Sequence, residues 1–202
     1  SSDVCSSDLA HPWCGMRNMA SLIGAGVMGS GIAAQVANSG TPVVLLDIVK
    51  PGEKNRNFLT EGAIEKQLKN NPTGFAHKDR AKLVTCGNLE DDLKLLEDCD
   101  WVCEVVLEDL KIKHITYDKI AKHLKKGAIL SSNTSTIPLE MLTQNLSKDL
   151  KKNFLITHFF NPPRYLRLLE IVTGKDTDEK AVKEVVEFCD VKLGKGVVKC
   201  KE

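Results

Sequence analysis

A histidine and a glutamate 12 positions apart, in the stretch ITHFFNPPRYLRLLEIV, are the side chains of this sequence best suited to move a proton. Glu170 stands within the apolar run LLEIV, where an unpaired buried charge would be strongly destabilising. We therefore predict that Glu170 has a partner, and infer that the partner is His158. A neutral imidazole, with an ordinary pKa of about 6.5, accepts a proton at neutral pH, and a carboxylate on its other ring nitrogen fixes the tautomer.

A glycine-rich turn supplies the second chemical signal. The segment GAGVMG, residues 24–29, follows the strand candidate ASLIG and precedes a helical pattern, which is the context of a dinucleotide-binding turn. Its first glycine allows a tight turn, the second lets backbone approach a pyrophosphate, and the third lets the helix pack on the sheet. The free N–H groups of the helix N-terminus then face the phosphates. We predict that this turn binds the cofactor through Gly24, Gly26, Val27, Met28 and Gly29.

An acid at the end of the next strand completes this fingerprint. Asp47 lies 18 residues beyond Gly29, and its carboxylate would accept hydrogen bonds from the adenosine ribose. The same charge would repel a 2′-phosphate, and neither Ile48 nor Val49 supplies a cation, so the sequence favours NAD over NADP. The alternatives are an ordinary turn residue at Asp47 and a methyltransferase, which the full three-glycine spacing disfavours.

Three polar clusters follow predicted strands and define where the reaction would occur. They are SSNTST at 131–136, HFFNPP at 158–163, and Glu108. Ligands of doubly wound sheets bind beyond the carboxyl ends of the strands, so Ser135, His158 and Asn161 would face the nicotinamide half of NAD. A lone histidine between aromatic residues would more often be a core side chain bonded to backbone. The glutamate and the dinucleotide turn favour a general base that assists hydride transfer from an alcohol.

Alternating strand and helix patterns must position these residues. Strand patterns occur at 20–24, 42–47, 82–86, 101–107, 128–135, 153–159, near 167–172 and at 196–200, and helical patterns at 30–40, 54–71, 89–99, 107–126 and 178–189. This order predicts an α/β fold, a Rossmann-type doubly wound and mostly parallel sheet with flanking helices. We expect one domain over residues 19–202, preceded by an unrelated and disordered leader, residues 1–18.

Composition narrows the partners and the compartment. The 202 residues carry a formal net charge of +1, which gives no electrostatic reason to expect nucleic acid or an anionic membrane surface. No apolar run approaches the roughly 20 residues that span a bilayer. The seven cysteines form no CxxC pair, so we expect a reducing, cytoplasmic location and no metal site. Cys99 and Cys103 are predicted to be small buried hydrophobic residues.

Six ordered motifs, IGAGVMGSGIA, EVVLEDLKIK, SSNTSTIP, THFFNPP, LLEIV and GKGVVKC, resemble the NAD-binding domain of the 3-hydroxyacyl-CoA dehydrogenases of fatty-acid β-oxidation. The resemblance runs from about residue 19 to the end of the chain. It implies oxidation of a (3S)-3-hydroxyacyl-CoA to the 3-ketoacyl-CoA, with NAD as the hydride acceptor. It also implies residue roles, in which His158 is the base, Glu170 its partner, Ser135 a hydrogen-bonding group for substrate and nicotinamide, and Glu108, Lys113 and Asn161 cofactor contacts.

The resemblance further implies a second domain. Large bacterial members of the family continue beyond VVKCK into a helical domain, which supplies a catalytic asparagine, part of the acyl pocket and the dimer interface. We expect this domain to be absent from the chain and the full-length parent to be a homo-oligomer. Two alternatives remain, a dinucleotide-binding module without turnover and a hydroxy-acid dehydrogenase. The second would use a lysine base on a later domain and would not require HFFNPP.

Overall fold

The computed structural model describes residues 19–201, and the predicted leader, residues 1–18, lies outside the described residues. Strands account for the short apolar runs of the sequence. They are β1 Ala20–Ile23, β2 Val43–Asp47, β3 Val84–Asn88, β4 Trp101–Glu104, β5 Ile129–Ser132, β6 Phe154–Phe159, β7 Leu168–Thr173 and β8 Gly196–Lys201.

Helices occupy most of the intervals between the strands. The α-helices are α1 Val27–Asn38, α2 Phe58–Lys69, α3 Leu110–Ile120, α4 Leu139–Thr143, α5 Lys148–Lys152 and α6 Glu179–Glu187. Short 3-10 helices cover Lys78–Leu83, Leu93–Asp98 and Ala121–His123, and a π-helical turn, Phe188–Lys192, extends α6. None of the helices within residues 19–201 is long and apolar enough to cross a membrane.

The eight strands form one sheet with the order β3-β2-β1-β4-β5-β6-β7-β8. The first six strands in chain order run parallel, whereas β7 is antiparallel to β6 and parallel to β8. The strand order reverses at β1, between β2 and β4, and such a switch point is where doubly wound sheets bind ligands. The predicted fold class is confirmed, and the described residues contain no separate helical domain.

The core consists of two apolar layers, one on each face of the sheet. Neighbouring residues of β1 point to opposite layers, so Leu22 joins the layer that packs on α1 and α6, whereas Ile23 joins the layer that packs on α3 and α4. Both side chains are fully buried. Because the central strands are buried on both faces, their sequences are continuous apolar runs. The polar clusters follow directly after these runs, so they lie where the strands end.

Several predicted elements differ from the structure in their bounds, and two of these differences are instructive. The helix predicted over 89–99 is a 3-10 helix over Leu93–Asp98, because the preceding residues form a side-chain-stabilised turn. The Asn88 carboxamide oxygen accepts from the amides of Glu90 and Asp91, and the Asp92 carboxylate accepts from the Asn88 amide. The strand predicted over 82–86 is β3, which begins at Val84 and ends at Asn88. These bounds follow from its pairing with β2, which begins at Val43 opposite Val84 and ends at Asp47 opposite Asn88.

Candidate active site

The glycine-rich turn leaves β1 and enters α1 with little room for side chains at two of its three glycines. Gly24 has a φ of +108°, and a Cβ there would lie 2.6 Å from the Val105 carbonyl oxygen. A Cβ on Gly29 would lie 1.8 Å from the Gly24 oxygen. Both positions therefore require glycine to close the turn, as the sequence predicts.

The middle glycine differs, because nothing within 4 Å would meet a Cβ on Gly26. Gly26 precedes the first turn of α1, and no side chain of the described residues caps that helix. The amides of Val27 and Met28 consequently remain available, with the positive end of the helix dipole behind them. Open space above backbone donors is what a pyrophosphate requires, so the turn fits NAD.

The acid of the fingerprint lies beside this turn. Asp47 ends β2 and is half-buried. Its Oδ2 accepts from the Ala25 amide at 2.6 Å and its Oδ1 from the Ile48 amide at 2.7 Å. Each carboxylate oxygen can accept a second hydrogen bond, so the two ribose hydroxyls still have acceptors. The turn and the acid are thus held together before any ligand binds.

The histidine and the glutamate contact each other as predicted. His158 and Glu170 lie directly opposite in the antiparallel pair of β6 and β7, and Nδ1 is 2.9 Å from Oε2. An ionised carboxylate only accepts, so Nδ1 carries the proton and Nε2 of the neutral ring has a free lone pair. No described residue forms a hydrogen bond with Nε2. The Phe160 ring packs beside the imidazole, with the centroids 4.5 Å apart.

Glu170 is more accessible than its apolar neighbours suggest. Its side chain is 36% exposed, whereas Leu169 and Ile171 are fully buried. The expectation of a buried carboxylate is corrected on this point, because Leu169 and Ile171 share the buried face of β7, whereas Glu170 lies on the opposite face, which is only partly covered. The pair therefore lies at the edge of a cleft, where a substrate can reach the imidazole.

A cleft of about 380 Å³ lies beyond the ends of several parallel strands and contains part of the predicted site. Five of the predicted residues line it, namely Met28, Glu108, Ser135, His158 and Asn161. The other predicted residues lie around it, with Gly24, Gly26, Val27, Gly29 and Asp47 in and beside the turn, Glu170 behind His158, and Lys113 beneath Glu108.

Glu108 binds the loop that follows β5. Its Oε1 accepts from the Thr134 hydroxyl, from the Ser135 amide at 3.0 Å, and from the Thr136 amide and hydroxyl at 3.2 and 3.0 Å. Partial burial raises the pKa of Glu108, but the Thr134 hydrogen bond, the Lys113 charge and the other donors outweigh it and lower that pKa to about 2. Glu108 is therefore an anion at neutral pH and fixes the position of Ser135.

Lys113 was predicted to contact the cofactor, yet its side chain is only 1% exposed. Its Nζ lies 2.8 Å from Glu104 Oε1 and 3.4 Å from Glu108 Oε2. The structure thus places the Lys113 ammonium between two carboxylates, of which Glu108 lines the cleft and Glu104 does not. Sequence reasoning did not identify Glu104, although it stands as a carboxylate in the apolar run WVCEVVL and could have been found by the signal that identified Glu170.

Asn133 is a second residue that sequence reasoning missed. Its side-chain oxygen accepts from the Phe159 amide at 2.9 Å, so it ties the end of β5 to the strand that carries His158. It belongs to the polar cluster at 131–136, from which only Ser135 had been selected. Its contact depends on the neighbouring strand, which the local sequence does not reveal.

The two cysteines that were predicted to be small buried hydrophobic residues lie in the core. Cys99 and Cys103 are fully buried, and burial raises the thiol pKa of Cys103 to about 11 and that of Cys99 to about 12. Within residues 19–201, no group of three or more His, Cys, Asp or Glu side chains is arranged to hold a metal ion.

Sequence comparisons identify relatives of this chain among known proteins. A probable 3-hydroxyacyl-CoA dehydrogenase of Deinococcus radiodurans is 52% identical over 179 residues, covering 89% of this chain and 52% of the relative. A putative fatty acid oxidation complex trifunctional enzyme of Rickettsia felis is 47% identical over 181 residues, covering 90% of this chain and 25% of the relative. The chain therefore spans about half the length of the first relative and a quarter of the second.

A solved structure and a family comparison lead to the same assignment. The crystal structure of the 3-hydroxyacyl-CoA dehydrogenase of Archaeoglobus fulgidus has a TM-score of 0.73 and 32% identity, covering 91% of this chain and 56% of that one. Residues 19–202 match the family described as 3-hydroxyacyl-CoA dehydrogenase, NAD binding domain, which confirms NAD as the predicted cofactor. The chain belongs to the 3-hydroxyacyl-CoA dehydrogenase family, as its NAD-binding domain.

Proposed function

We propose that the protein contributes the cofactor-binding and proton-accepting half of an enzyme that oxidises (3S)-3-hydroxyacyl-CoA to 3-ketoacyl-CoA in fatty-acid β-oxidation. The observation that carries the proposal is the contact of His158 Nδ1 with Glu170 Oε2 at 2.9 Å, at the edge of the cleft that begins at the dinucleotide turn. The names of the similar proteins from Deinococcus radiodurans and Rickettsia felis support the substrate class.

The proposed chemistry assigns the proton to this chain. As the C3–H hydride leaves the substrate, Nε2 of His158 accepts the proton of the C3 hydroxyl, and the C–O bond becomes a carbonyl. Glu170 holds Nδ1–H, so that the ring presents its unprotonated nitrogen and the imidazolium is stabilised as it forms. NAD, when bound, supplies the hydride acceptor. The Ser135 hydroxyl, exposed in the same cleft, donates to the developing carbonyl oxygen.

We assign the proposed cofactor contacts to successive parts of the NAD molecule. The amides of the turn, from Gly26 to Gly29, receive the pyrophosphate, and Asp47 receives the adenosine ribose. Glu108 and Asn161 line the cleft where the nicotinamide half would lie. Lys113 takes part by holding Glu108 from below.

The proposal extends to the partners and the location. A helical domain, on the same polypeptide in the larger relatives, would cover the open face around Glu170 and complete the acyl site, and the whole enzyme would be a homo-oligomer. We also propose that residues 19–202 are the domain, that residues 1–18 are a leader outside it, and that the protein works in the cytoplasm.

The experiment compares two proteins, this chain and a fusion of this chain to the remaining half of the Deinococcus radiodurans relative. NADH is titrated into both, and turnover is then measured with acetoacetyl-CoA and NADH. We expect both proteins to bind NADH and the fusion to reduce acetoacetyl-CoA, with loss of turnover in His158→Gln. A fusion that folds and binds NADH without turnover would leave a dinucleotide-binding module and reject the enzymatic role.

A further inference from the structure

A fully buried carboxylate lies next to the candidate active site without belonging to it. Glu104, the last residue of β4, has no exposed surface and accepts four hydrogen bonds. Its Oε1 accepts from Lys113 Nζ and the Val106 amide, both at 2.8 Å. Its Oε2 accepts from the Tyr117 and Ser132 hydroxyls, both at 2.7 Å. Four donors compensate for the loss of water, so Glu104 forms the centre of an ordered buried network.

The strand register places this centre where the two parts of the cofactor site meet. Glu104 pairs with Ile23 of β1 on one side and with Ser132 of β5 on the other. Ile23 directly precedes the glycine turn, and Ser132 directly precedes the loop that carries Ser135. A change at Glu104 can therefore reach either part, and its side-chain contacts determine which part it influences.

Those contacts lead to the nicotinamide side. Lys113 lies between two carboxylates, 2.8 Å from Glu104 and 3.4 Å from Glu108. Glu108 in turn holds the Ser135 and Thr136 amides. The chain of contacts thus runs from the buried end of β4, through one ammonium group, to the loop at the edge of the cleft. None of these side chains forms a hydrogen bond with the glycine turn, and Glu104 approaches it only through the Val106 amide, whose nitrogen would lie 3.2 Å from a Cβ on Gly24.

We propose that Glu104 is a positioning residue, which acts through Lys113 and Glu108 to hold the Ser135 loop in the arrangement that receives the nicotinamide half of NAD. This inference rests on the proposed function, which places the nicotinamide half in that cleft. The physical reason is charge balance, since Lys113 is shared between Glu104 and Glu108 and its position depends on both. Neutralising Glu104 draws the ammonium toward Glu108 and shifts the loop that Glu108 holds.

The experiment uses two probes that share the adenosine and pyrophosphate part, and each variant is compared with the unmodified chain for the same probe. ADP carries the adenosine and pyrophosphate part, whereas NADH adds the nicotinamide ribose and the ring. Binding of each is measured by calorimetry for the complete chain and for Glu104→Gln, Lys113→Met, the double variant, and the exposed control Glu179→Gln. The thermal unfolding midpoint is recorded for every protein.

The double variant separates positioning from stability. Each single variant leaves a buried charge without its nearest partner, and its midpoint should fall, whereas the double variant removes both buried charges and should recover much of the loss. We expect Glu104→Gln and the double variant to bind NADH on the order of tenfold more weakly, with ADP binding unchanged. Glu179→Gln removes a charge from the first turn of α6, so its midpoint can fall slightly, but it should bind ADP and NADH as the unmodified chain does.

Two results would overturn the inference, and a third concerns the proposed function. Recovery of NADH affinity together with the midpoint in the double variant would show a purely structural network. Equal weakening of ADP and NADH would show that Glu104 acts on the turn instead. If the unmodified chain binds NADH no more tightly than ADP, the nicotinamide half gains nothing from the cleft, and the placement on which the inference rests is wrong.

Discussion

His158 and Glu170 are direct neighbours across two antiparallel strands, and the bond between Nδ1 and Oε2 follows from that register. Residues directly opposite in such a pair have Cβ atoms about 4.5–5.5 Å apart, close enough for an imidazole and a carboxylate to meet. A shift of one residue would turn Glu170 toward the buried face of β7, where Leu169 and Ile171 pack. The sheet therefore orients the base, and no flexible loop is needed to do so.

Glu170→Gln should reduce turnover while it preserves cofactor binding. The amide has the size of the carboxylate but no charge, so it stabilises the imidazolium less and no longer enforces the tautomer of His158. We expect kcat in the fusion protein to fall about 10²-fold or more, with the Kd for NADH changed less than about twofold. Steady-state assays and calorimetry measure the two quantities.

A matched control for this variant is Glu179→Gln, an exposed glutamate in the first turn of α6. It should leave both kcat and the Kd unchanged. Retention of full turnover in Glu170→Gln would mean that His158 needs no carboxylate partner, and that the pair serves only the stability of the two strands.

Asp47→Asn should weaken the preference for NADH over NADPH. The asparagine oxygen can still accept from the Ala25 amide, which Asp47 binds at 2.6 Å, so the turn keeps its geometry. The negative charge that opposes a 2′-phosphate is lost, and charges about 4 Å apart in water interact by about 1 kcal/mol. We expect the ratio of the two dissociation constants to shift about fivefold to tenfold toward NADPH.

Fluorescence titration with both cofactors measures this ratio. The exposed Asp118→Asn, on α3, provides the control for a lost surface charge. An unchanged ratio would indicate that another group discriminates at the ribose, and Asp47 would then be a structural part of the turn alone.

The glycine turn and the acid could be predicted from the sequence because their requirements are local. A positive φ at Gly24 and the close approach of Gly29 to the Gly24 carbonyl follow from a tight strand-to-helix turn, whatever the rest of the fold does. The His158–Glu170 pair was predicted from a buried charge that needed a partner, but its register depends on the loop over 160–167, which the sequence does not reveal.

The residues that were missed depend on contacts between distant elements. Asn133 is important because its oxygen meets the Phe159 amide on the next strand, and Glu104 because α3 brings Lys113 to it. The segment 89–99 was predicted to be helical from the spacing of its apolar residues. That spacing does not show that the first residues of the segment form a turn with Asn88, so only Leu93–Asp98 are left for a short 3-10 helix. Such features appear only when the elements are assembled.

Two glycines of the turn should respond oppositely to the same substitution. Gly26→Ala places a methyl group in open space at a φ of −62°, which any residue adopts, so stability should change by no more than about 0.5 kcal/mol. The methyl group occupies the space above the helix amides, and NADH binding should fall on the order of tenfold or more. Gly29→Ala instead meets the Gly24 oxygen and should destabilise the fold by about 3 kcal/mol or more.

Urea unfolding and NADH titration of both variants test this contrast. The two glycines lie three residues apart in one turn, so each variant serves as the control for the other. Unimpaired NADH binding by Gly26→Ala would place the pyrophosphate elsewhere. A stable Gly29→Ala would show that α1 can move away from the turn.

Glu108→Gln should remove a specific part of the acid sensitivity of the fold. The pKa of Glu108 lies at about 2, below its ordinary value of 4.5, so its ionised form stabilises the native state above pH 4.5. That contribution is lost as the pH falls from 4.5 toward 2. The free energy of unfolding of the unmodified chain should therefore exceed that of Glu108→Gln at pH 7, and the difference should shrink by pH 3.

Urea unfolding of the unmodified chain, Glu108→Gln and Glu179→Gln at pH 7, 4.5 and 3 provides the comparison. Because more than a third of the Glu108 side chain is exposed, solvent screens part of the effect, and its direction with pH is the decisive observation. A difference that stays constant from pH 7 to pH 3 would mean that the Thr134, Ser135 and Thr136 donors bind the carboxylate and its protonated form equally well. In that case Glu108 would hold the loop by shape alone, and its charge would remain available to the cofactor.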